Sequence, residues 1–258
     1  MFFFPISDDN ESRTKPVICY ILIFICSFIF LWQSTLPSSL NQDAIYNFGL
    51  VPAALFGEKS SFIHPYLTIF SSMFMHGGWM HLLGNMVFLW IFGDNIEDSM
   101  GHTKFLSFYL ICGVIAALLQ ATIDPNSTIP MIGASGAIAG ILGAYLILHP
   151  KANVNVLFWI IIFITVIKVP AFIVLSIWIV SQFFGSASGV AYFAHIGGFI
   201  AGALLIYFFK HPNVQLFQQG NSISFESNSF GMDNFFNKKK ERDFLQEFID
   251  TANKKDKN

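Results

Sequence analysis

Charged side chains are scarce in this sequence of 258 residues. Only 12% are Asp, Glu, Lys or Arg, against about 25% in an ordinary soluble domain. Hydrophobic residues make up 54% of the chain, and 31 of its residues are phenylalanine. This balance excludes a typical soluble protein and predicts a membrane protein with the lipid bilayer as a partner. The net charge of −2 gives no basic surface, so we expect no nucleic-acid partner.

Cysteine is also rare, and none of it lies where it would bind metal or form a useful disulfide. Cys19, Cys26 and Cys112 all lie inside apolar runs. They do not have the spacing of zinc ligands, and none is in a loop. We therefore expect buried structural thiols, no metal and no cofactor.

Long apolar runs predict six transmembrane helices. The predicted helices are Pro16–Trp32, Trp79–Glu97, Thr103–Thr122, Ala134 to just before His149, a fifth from Pro170, and Val190–Phe209.

The fifth helix is harder to delimit, because residues 153–185 form one apolar stretch too long for a single span. Proline favours the first turn of a helix, so Pro170 is the predicted start. Residues 154–168 would then be extended at the membrane interface, and a long kinked helix is the alternative. The fifth helix has bulky side chains such as Phe172 and Trp178 and no glycine before Gly185. It either forms a movable lateral gate or simply faces lipid.

The chain divides into a six-helix domain between two polar tails. We predict an N-terminal tail over residues 1–15, the helical domain over 16–210, and a C-terminal tail over 211–258 with a short amphipathic helix at 233–250. Residues 34–78 form a long first loop, rich in aromatic residues and interrupted by proline and glycine, in which we expect short interfacial helices.

The basic residues predict which side each loop lies on, because they accumulate in cytoplasmic loops. With both termini in the cytoplasm, 12 of the 14 basic residues lie on that side. These are Arg13, Lys15, Lys104, Lys151, Lys210, Lys238, Lys239, Lys240, Arg242, Lys254, Lys255 and Lys257. We therefore expect a multi-pass protein, in the cell (inner) membrane, with both termini cytoplasmic.

Four polar side chains then lie at similar depth below the outer face. They are His81 and Asn85 in the second helix, Ser135 in the fourth and His195 in the sixth. Polar residues within a span are costly and usually functional. Taken singly, each has a plainer explanation as an interfacial side chain or a hydrogen bond between helices, and the small residues around Ser135 could simply allow helices to pack.

Together these four side chains favour acyl-transfer chemistry. A serine nucleophile needs a base, and histidine is the usual one. The fourth and sixth helices contain no Asp or Glu, so a Ser–His dyad remains. Asn85, His81 and the Ser135 backbone N–H could stabilise an oxyanion.

These residues stand in motifs that resemble those of the rhomboid intramembrane serine proteases. The matching motifs are Gly133-x-Ser135-Gly136, His81-x-x-Gly84-Asn85, Ala194-His195-x-x-Gly198-x-x-x-Gly202 and Glu97-x-x-x-Gly101-x-x-x-Phe105.

The resemblance implies an all-α membrane protein: a bundle of six transmembrane helices with a long, partly helical first extracytoplasmic loop. It implies Ser135 as nucleophile, His195 as general base, and His81 and Asn85 in the oxyanion hole. Gly198 and Gly202 would bring the sixth helix close to the fourth.

By the same resemblance, Glu97 has a structural role and the substrates are single-pass or multi-pass membrane proteins. Some relatives have a tyrosine one turn after the serine, packed on the histidine, where this chain has Ala139. The alternatives are a non-proteolytic membrane-protein binder of the same fold and a small transporter. A transporter is disfavoured because the inner halves of the fourth and sixth helices contain no charged or amide side chain.

Overall fold

Apolar helices make up most of the protein. The computed structural model describes residues 2–57, 62–160, 163–185, 189–218 and 227–229. Its longer helices are α1 (Val17–Thr35), α5 (Trp79–Met100), α6 (His102–Ile123), α7 (Ser135–Leu148), α8 (Ala171–Phe184) and α9 (Tyr192–Phe209). These helices lie, in order, where the six helices were predicted, and the predicted bounds are within about three residues of the observed ones.

Three of these helices are long and apolar enough to cross a membrane among the residues that the structure describes. They are α1, α6 and α9. Helices α7 and α8 are apolar but only 14 residues each, a rise of about 21 Å. Helix α5 has 22 residues, and the acidic side chains Asp94, Glu97 and Asp98 lie near its end.

Short helices occupy the long connection between α1 and α5. They are α2 (Ser38–Phe48), α3 (Pro52–Leu55), α4 (Pro65–Ser71) and a 3-10 turn at Ser72–Phe74. Pro52 and Pro65 stand in the first turns of α3 and α4, where a missing N–H costs nothing. Leu50 pairs with Met131 through backbone hydrogen bonds of 2.8 and 3.0 Å. This pairing ties the connection to the segment that leads into α7.

A four-stranded antiparallel sheet corrects the all-α prediction. Its strands are β1 (Phe2–Asp8), β2 (Asn153–Ile160), β3 (Phe163–Pro170) and β4 (Ser227–Ser229), in that order across the sheet. The predicted extended conformation is confirmed for residues 154–160 and 163–168, since β2 and β3 pair along their whole length. Pairing was missed because a strand's partner is not visible in its own composition.

The N-terminal residues predicted as a polar tail lie against the bundle. Asp8 accepts hydrogen bonds from Tyr145 of α7 and from Asn95 of α5. The Asp9 carboxylate accepts from the backbone N–H and the side chain of Asn153, both at 2.8 Å. Burial, above all, raises the pKa of Asp8 to about 7. The predicted amphipathic helix at 233–250 lies outside the described residues.

Helix α7 lies at the centre of the bundle. It packs against α5, α6, α8 and α9, and most of its side chains are buried. The closest approach is to α9. A Cβ on Gly198 would lie 2.0 Å from the carbonyl oxygen of Gly136, and one on Gly202 would lie 1.8 Å from that of Gly140. The two backbones are therefore in direct contact, as the predicted role of Gly198 and Gly202 requires.

Candidate functional site

Ser135 is the first residue of α7, after a glycine with a backbone that other residues rarely adopt. Gly133 has φ of +124°, and its N–H donates to the Ser72 carbonyl at 2.9 Å. A Cβ on Gly133 would lie 2.7 Å from Nε2 of His81. A side chain at this position would thus be strained and would displace the imidazole. Gly133 therefore lets the chain turn into α7 directly beside His81.

The Ser135 hydroxyl lies next to the imidazole of His195. The distance from Oγ of Ser135 to Nε2 of His195 is 2.8 Å, a normal hydrogen bond. The two residues are 60 positions apart in the chain and lie in the first turns of α7 and α9. Their separation follows from the backbone contact between these helices, because that contact fixes how far apart the two helix starts can be.

His81 and Asn85 lie one turn apart on α5 and face the same site. The Asn85 side-chain amide donates to the His81 carbonyl at 2.9 Å, which leaves a second N–H available. His76, in the turn before α5, packs edge-on against His81 with ring centroids 5.2 Å apart. Burial lowers the pKa of His76 to about 4. His76 is therefore neutral near pH 7 and supports His81 without adding charge.

All four polar side chains line one cavity of about 540 Å³. Its walls are mainly apolar and come from α5, α7 and α8 and from the residues before α9. They include Met80, Phe88, Ile132, Ile138, Leu142, Trp178 and Val190. Within the described ranges, no three His, Cys, Asp or Glu side chains are grouped as metal ligands. The cavity suits an extended apolar segment with a polar backbone, brought next to a hydroxyl and an imidazole.

Glu97 is far from this cavity, near the other end of α5. Sixteen residues separate it from His81, about 24 Å along a helix. Its carboxylate accepts from the backbone N–H groups of Ile18 and Cys19, at 2.9 and 2.8 Å, and contacts His102. These N–H groups belong to the first turn of α1 and have no partner within that helix. Glu97 thus caps α1.

Three side chains that support His195 are absent from the sequence-based site. Trp178 of α8 lies with its ring 5.7 Å from the imidazole, and Tyr192 lies edge-on at 6.4 Å. Gln182 of α8 places its Oε1 2.7 Å from Nδ1 of His195. Some relatives pack a tyrosine on this histidine at the position of Ala139, and in this chain the three contacts hold the imidazole instead. The sequence-based site does not contain Gln182, because it allowed only an acidic residue of the fourth or sixth helix as a third group. A lone amide in an apolar span is nevertheless a signal of function.

Comparison with known proteins gives one consistent family. The Rhomboid domain model matches residues 64–212. "Rhomboid protease GluP" of Bacillus subtilis is 28% identical over 73% of this chain and 34% of its own length. "Rhomboid protein 1, mitochondrial" of Saccharomyces cerevisiae is 28% identical over 57% of this chain and 42% of its own. "RHOMBOID-like protein 5" of Arabidopsis thaliana is 35% identical over 30% and 25%. The chain thus spans less than half of each of these relatives.

Proposed function

Because this chain belongs to the rhomboid family, we propose that it is an intramembrane serine endopeptidase that cleaves transmembrane segments of membrane proteins. The observation that supports this most directly is the 2.8 Å hydrogen bond between Ser135 Oγ and His195 Nε2. It lies in a cavity that also contains two further polar groups. In this proposal Ser135 is the nucleophile and His195 is its general base.

The reaction proceeds in two halves. Ser135 Oγ attacks the scissile carbonyl carbon while His195 Nε2 takes the hydroxyl proton. The tetrahedral intermediate collapses, and the imidazolium gives that proton to the leaving amine. Water then enters the cavity, gives a proton to His195 and attacks the acyl ester. The collapse of the second intermediate returns a proton to Ser135 and releases the acid.

The developing oxyanion needs donors already in position. The Asn85 amide, His81 and the backbone N–H groups at the start of α7 lie around the same cavity and are candidates for this role. Helix α7 adds the positive end of its dipole and N–H groups without intrahelical partners. A neutral oxyanion hole of this kind works best where water is scarce, as in this largely apolar cavity.

The proposal includes the membrane arrangement. Helices α1 and α5 to α9 form six spans within the domain 16–210, with residues 1–15 and 211–258 as cytoplasmic segments and the cavity towards the extracytoplasmic side. The distribution of basic residues and the three long apolar helices support this arrangement. The substrates are then single-pass or multi-pass proteins of the same membrane.

Covalent labelling with a fluorophosphonate probe tests the assignment. We expect the probe to label the purified protein in detergent and not the Ser135→Ala variant. In proteoliposomes with a fluorescent transmembrane peptide, Ser135→Ala and His195→Ala should each lower kcat by about 10³-fold or more. Equal thermal unfolding midpoints would exclude misfolding. If Ser135→Ala cleaves like the wild type, Ser135 is not the nucleophile. A protein that binds the peptide without labelling or cleavage is a non-proteolytic binder.

A further inference from the structure

The imidazole of His195 has a polar partner on each of its two nitrogens. Nε2 faces Ser135, and Nδ1 lies 2.7 Å from Oε1 of Gln182. Gln182 belongs to α8, a different helix from either member of the dyad. Histidine's two nitrogens are not equivalent, because in the neutral ring one is a donor and the other an acceptor.

The other end of the Gln182 amide fixes which atom faces His195. Its Nε2 donates to the Trp178 carbonyl and to Oγ of Ser181, each at 3.0 Å. A flipped amide would place its oxygen against the Trp178 carbonyl. It could accept from Ser181 only if that hydroxyl gave up its own 2.6 Å hydrogen bond to the same carbonyl. Oε1 therefore faces the ring as an acceptor, and Nδ1 must be the nitrogen that donates.

The proton on Nδ1 decides what Nε2 can do. In the neutral ring, a proton on Nδ1 leaves an unprotonated Nε2 facing the Ser135 hydroxyl, which is the form that accepts a proton. The opposite tautomer would present an N–H to Ser135 and could not act as its base. When His195 takes up the serine proton, Gln182 still accepts from Nδ1, and a hydrogen bond to a charged donor is stronger than one to a neutral donor.

We propose that Gln182 is a positioning residue for His195: it selects the Nδ1–H tautomer and stabilises the imidazolium that forms during acyl transfer. This inference rests on the proposed dyad. It also fits the absence of Asp and Glu from the fourth and sixth helices, because a neutral amide can accept this hydrogen bond without placing a permanent charge in a membrane span.

Three substitutions separate the chemistry of Gln182 from its size. Gln182→Met keeps the length and removes the acceptor. Gln182→Asn keeps the amide but is one methylene too short to reach Nδ1. Gln182→Glu keeps both an acceptor and the length. We expect the first two to lower kcat by about 10- to 100-fold, the effect of losing one hydrogen bond to a charged group, with KM unchanged. Gln182→Glu should recover part of that loss, because it restores the acceptor for Nδ1 but its second oxygen cannot donate to the Trp178 carbonyl.

Gln120 of α6 provides the matched control. Its Oε1 also binds α9, but through the backbone N–H groups of Phe193 and Ala194 at 3.1 and 3.3 Å. Gln120→Met should lower the thermal unfolding midpoint, as loss of a helix cap does. Gln182→Met should leave the midpoint near that of the wild type and lower kcat instead.

A spectroscopic measurement tests the tautomer without any activity. In protein labelled with ¹⁵N-histidine, the His195 signals should report a single neutral tautomer with the proton on Nδ1. They are assigned by comparison with His195→Ala. Gln182→Met should give a mixture of tautomers.

Three results overturn the inference, and the first two are an Nε2–H tautomer in the wild type and wild-type kcat in Gln182→Met. The third is a thermal unfolding midpoint and a kcat that fall together in Gln182→Met, which would give Gln182 a purely structural role. Failure of the dyad itself would instead appear as cleavage by Ser135→Ala, so the two failures are distinguishable.

Discussion

Helix α9 is held by α7 and by α8 in opposite ways. Against α7 the contact is backbone to backbone, with Gly198 and Gly202 touching the carbonyl groups of Gly136 and Gly140. Against α8 the contact is made by side chains. Trp178 packs on Phe199 with ring centroids 6.2 Å apart and on His195, and Gln182 binds the imidazole.

The difference separates two requirements of the candidate site. The backbone contact sets the distance between Ser135 and His195 and cannot change without moving a whole helix. The side-chain contacts set the orientation of the imidazole and can be removed one at a time. Changes at the α7–α9 contact should therefore abolish folding and activity together, whereas changes on α8 should alter activity with little loss of stability.

Of the two contacts of α9, the backbone contact with α7 should give the larger effect. In Gly202→Leu the new side chain would overlap the Gly140 carbonyl, and only separation of α7 and α9 can relieve this clash. We expect the rate of cleavage to fall at least 100-fold, about the effect of misplacing reacting groups by 1 Å. The thermal unfolding midpoint should also be clearly lower. Gly93→Ala is the control, since its Cβ would meet only side-chain atoms of Cys19 and Leu89 at 3.0 Å. A fully active and stable Gly202→Leu protein would contradict the close contact.

Trp178→Ala should reduce kcat by about 10-fold, because the imidazole loses one of the rings that hold its orientation. This expectation differs from that of a lateral gate alone, in which loss of a bulky side chain from α8 would speed cleavage. The structure gives Trp178 a second contact, with His195 itself. Kinetics with a transmembrane peptide decide between the two, since a rise in kcat would favour the gate alone.

Phe172→Ala should have a smaller effect in the opposite direction. Phe172 lies at the start of α8 with 45% of its surface exposed, and no ring contact joins it to His195 among the described residues. If α8 moves to admit substrate, we expect cleavage of the transmembrane peptide to rise a few-fold. Fluorophosphonate labelling should stay constant, because a small probe does not need the gate. Equal changes in both reactions would show that α8 is only a structural support.

Asp8→Asn should give the smallest effect, confined to the pH dependence of stability. Asp8 binds Tyr145, so it anchors the other end of α7. Burial raises its pKa to about 7 from an ordinary value near 3.8. The folded protein therefore binds this proton more tightly than the unfolded chain, and the Asp8 contribution to stability is lost as pH rises from about 4 to 7.

The thermal unfolding midpoint of the wild type should accordingly decrease when the pH is raised from 5 to 8. The midpoint of Asp8→Asn should decrease less. Between these pH values, the free energy of unfolding of the wild type should drop by about 2 kcal/mol more than that of the variant. This is less than the full pKa shift implies, because Asp8 keeps some contact with water. Parallel pH profiles for the two proteins would mean that Asp8 does not titrate in this range.

Much of the helical part of the fold was predictable because each helix carries its own signal. Apolar length, Pro170 at a helix start and the basic residues of the loops are local features of the sequence. The sheet was harder to predict from the sequence. Residues 154–160 and 163–168 were correctly predicted to be extended. The pairing of residues 154–159 with residues 2–8, however, is a contact across more than 140 positions, and no local pattern specifies such a contact.

The candidate site divides in the same way. Ser135, His195, His81 and Asn85 could be proposed because polar groups in apolar helices stand out and because their motifs are specific. Gln182 could not be joined to them, since a sequence does not give the rotation of α8 about its axis or the neighbour that its side chain meets. The lone amide in that helix was nevertheless visible.

The order of synthesis gives the sheet a consequence for how the protein is assembled. Strand β1 is synthesised well before its partner β2, which begins at Asn153. At about 10 residues per second, roughly 15 seconds pass before that partner exists. During that time α1, α5, α6 and α7 have been made, and Asp8 must wait for Tyr145, which is 137 positions later. Strand β1 can therefore pair with β2 only after these helices have been made.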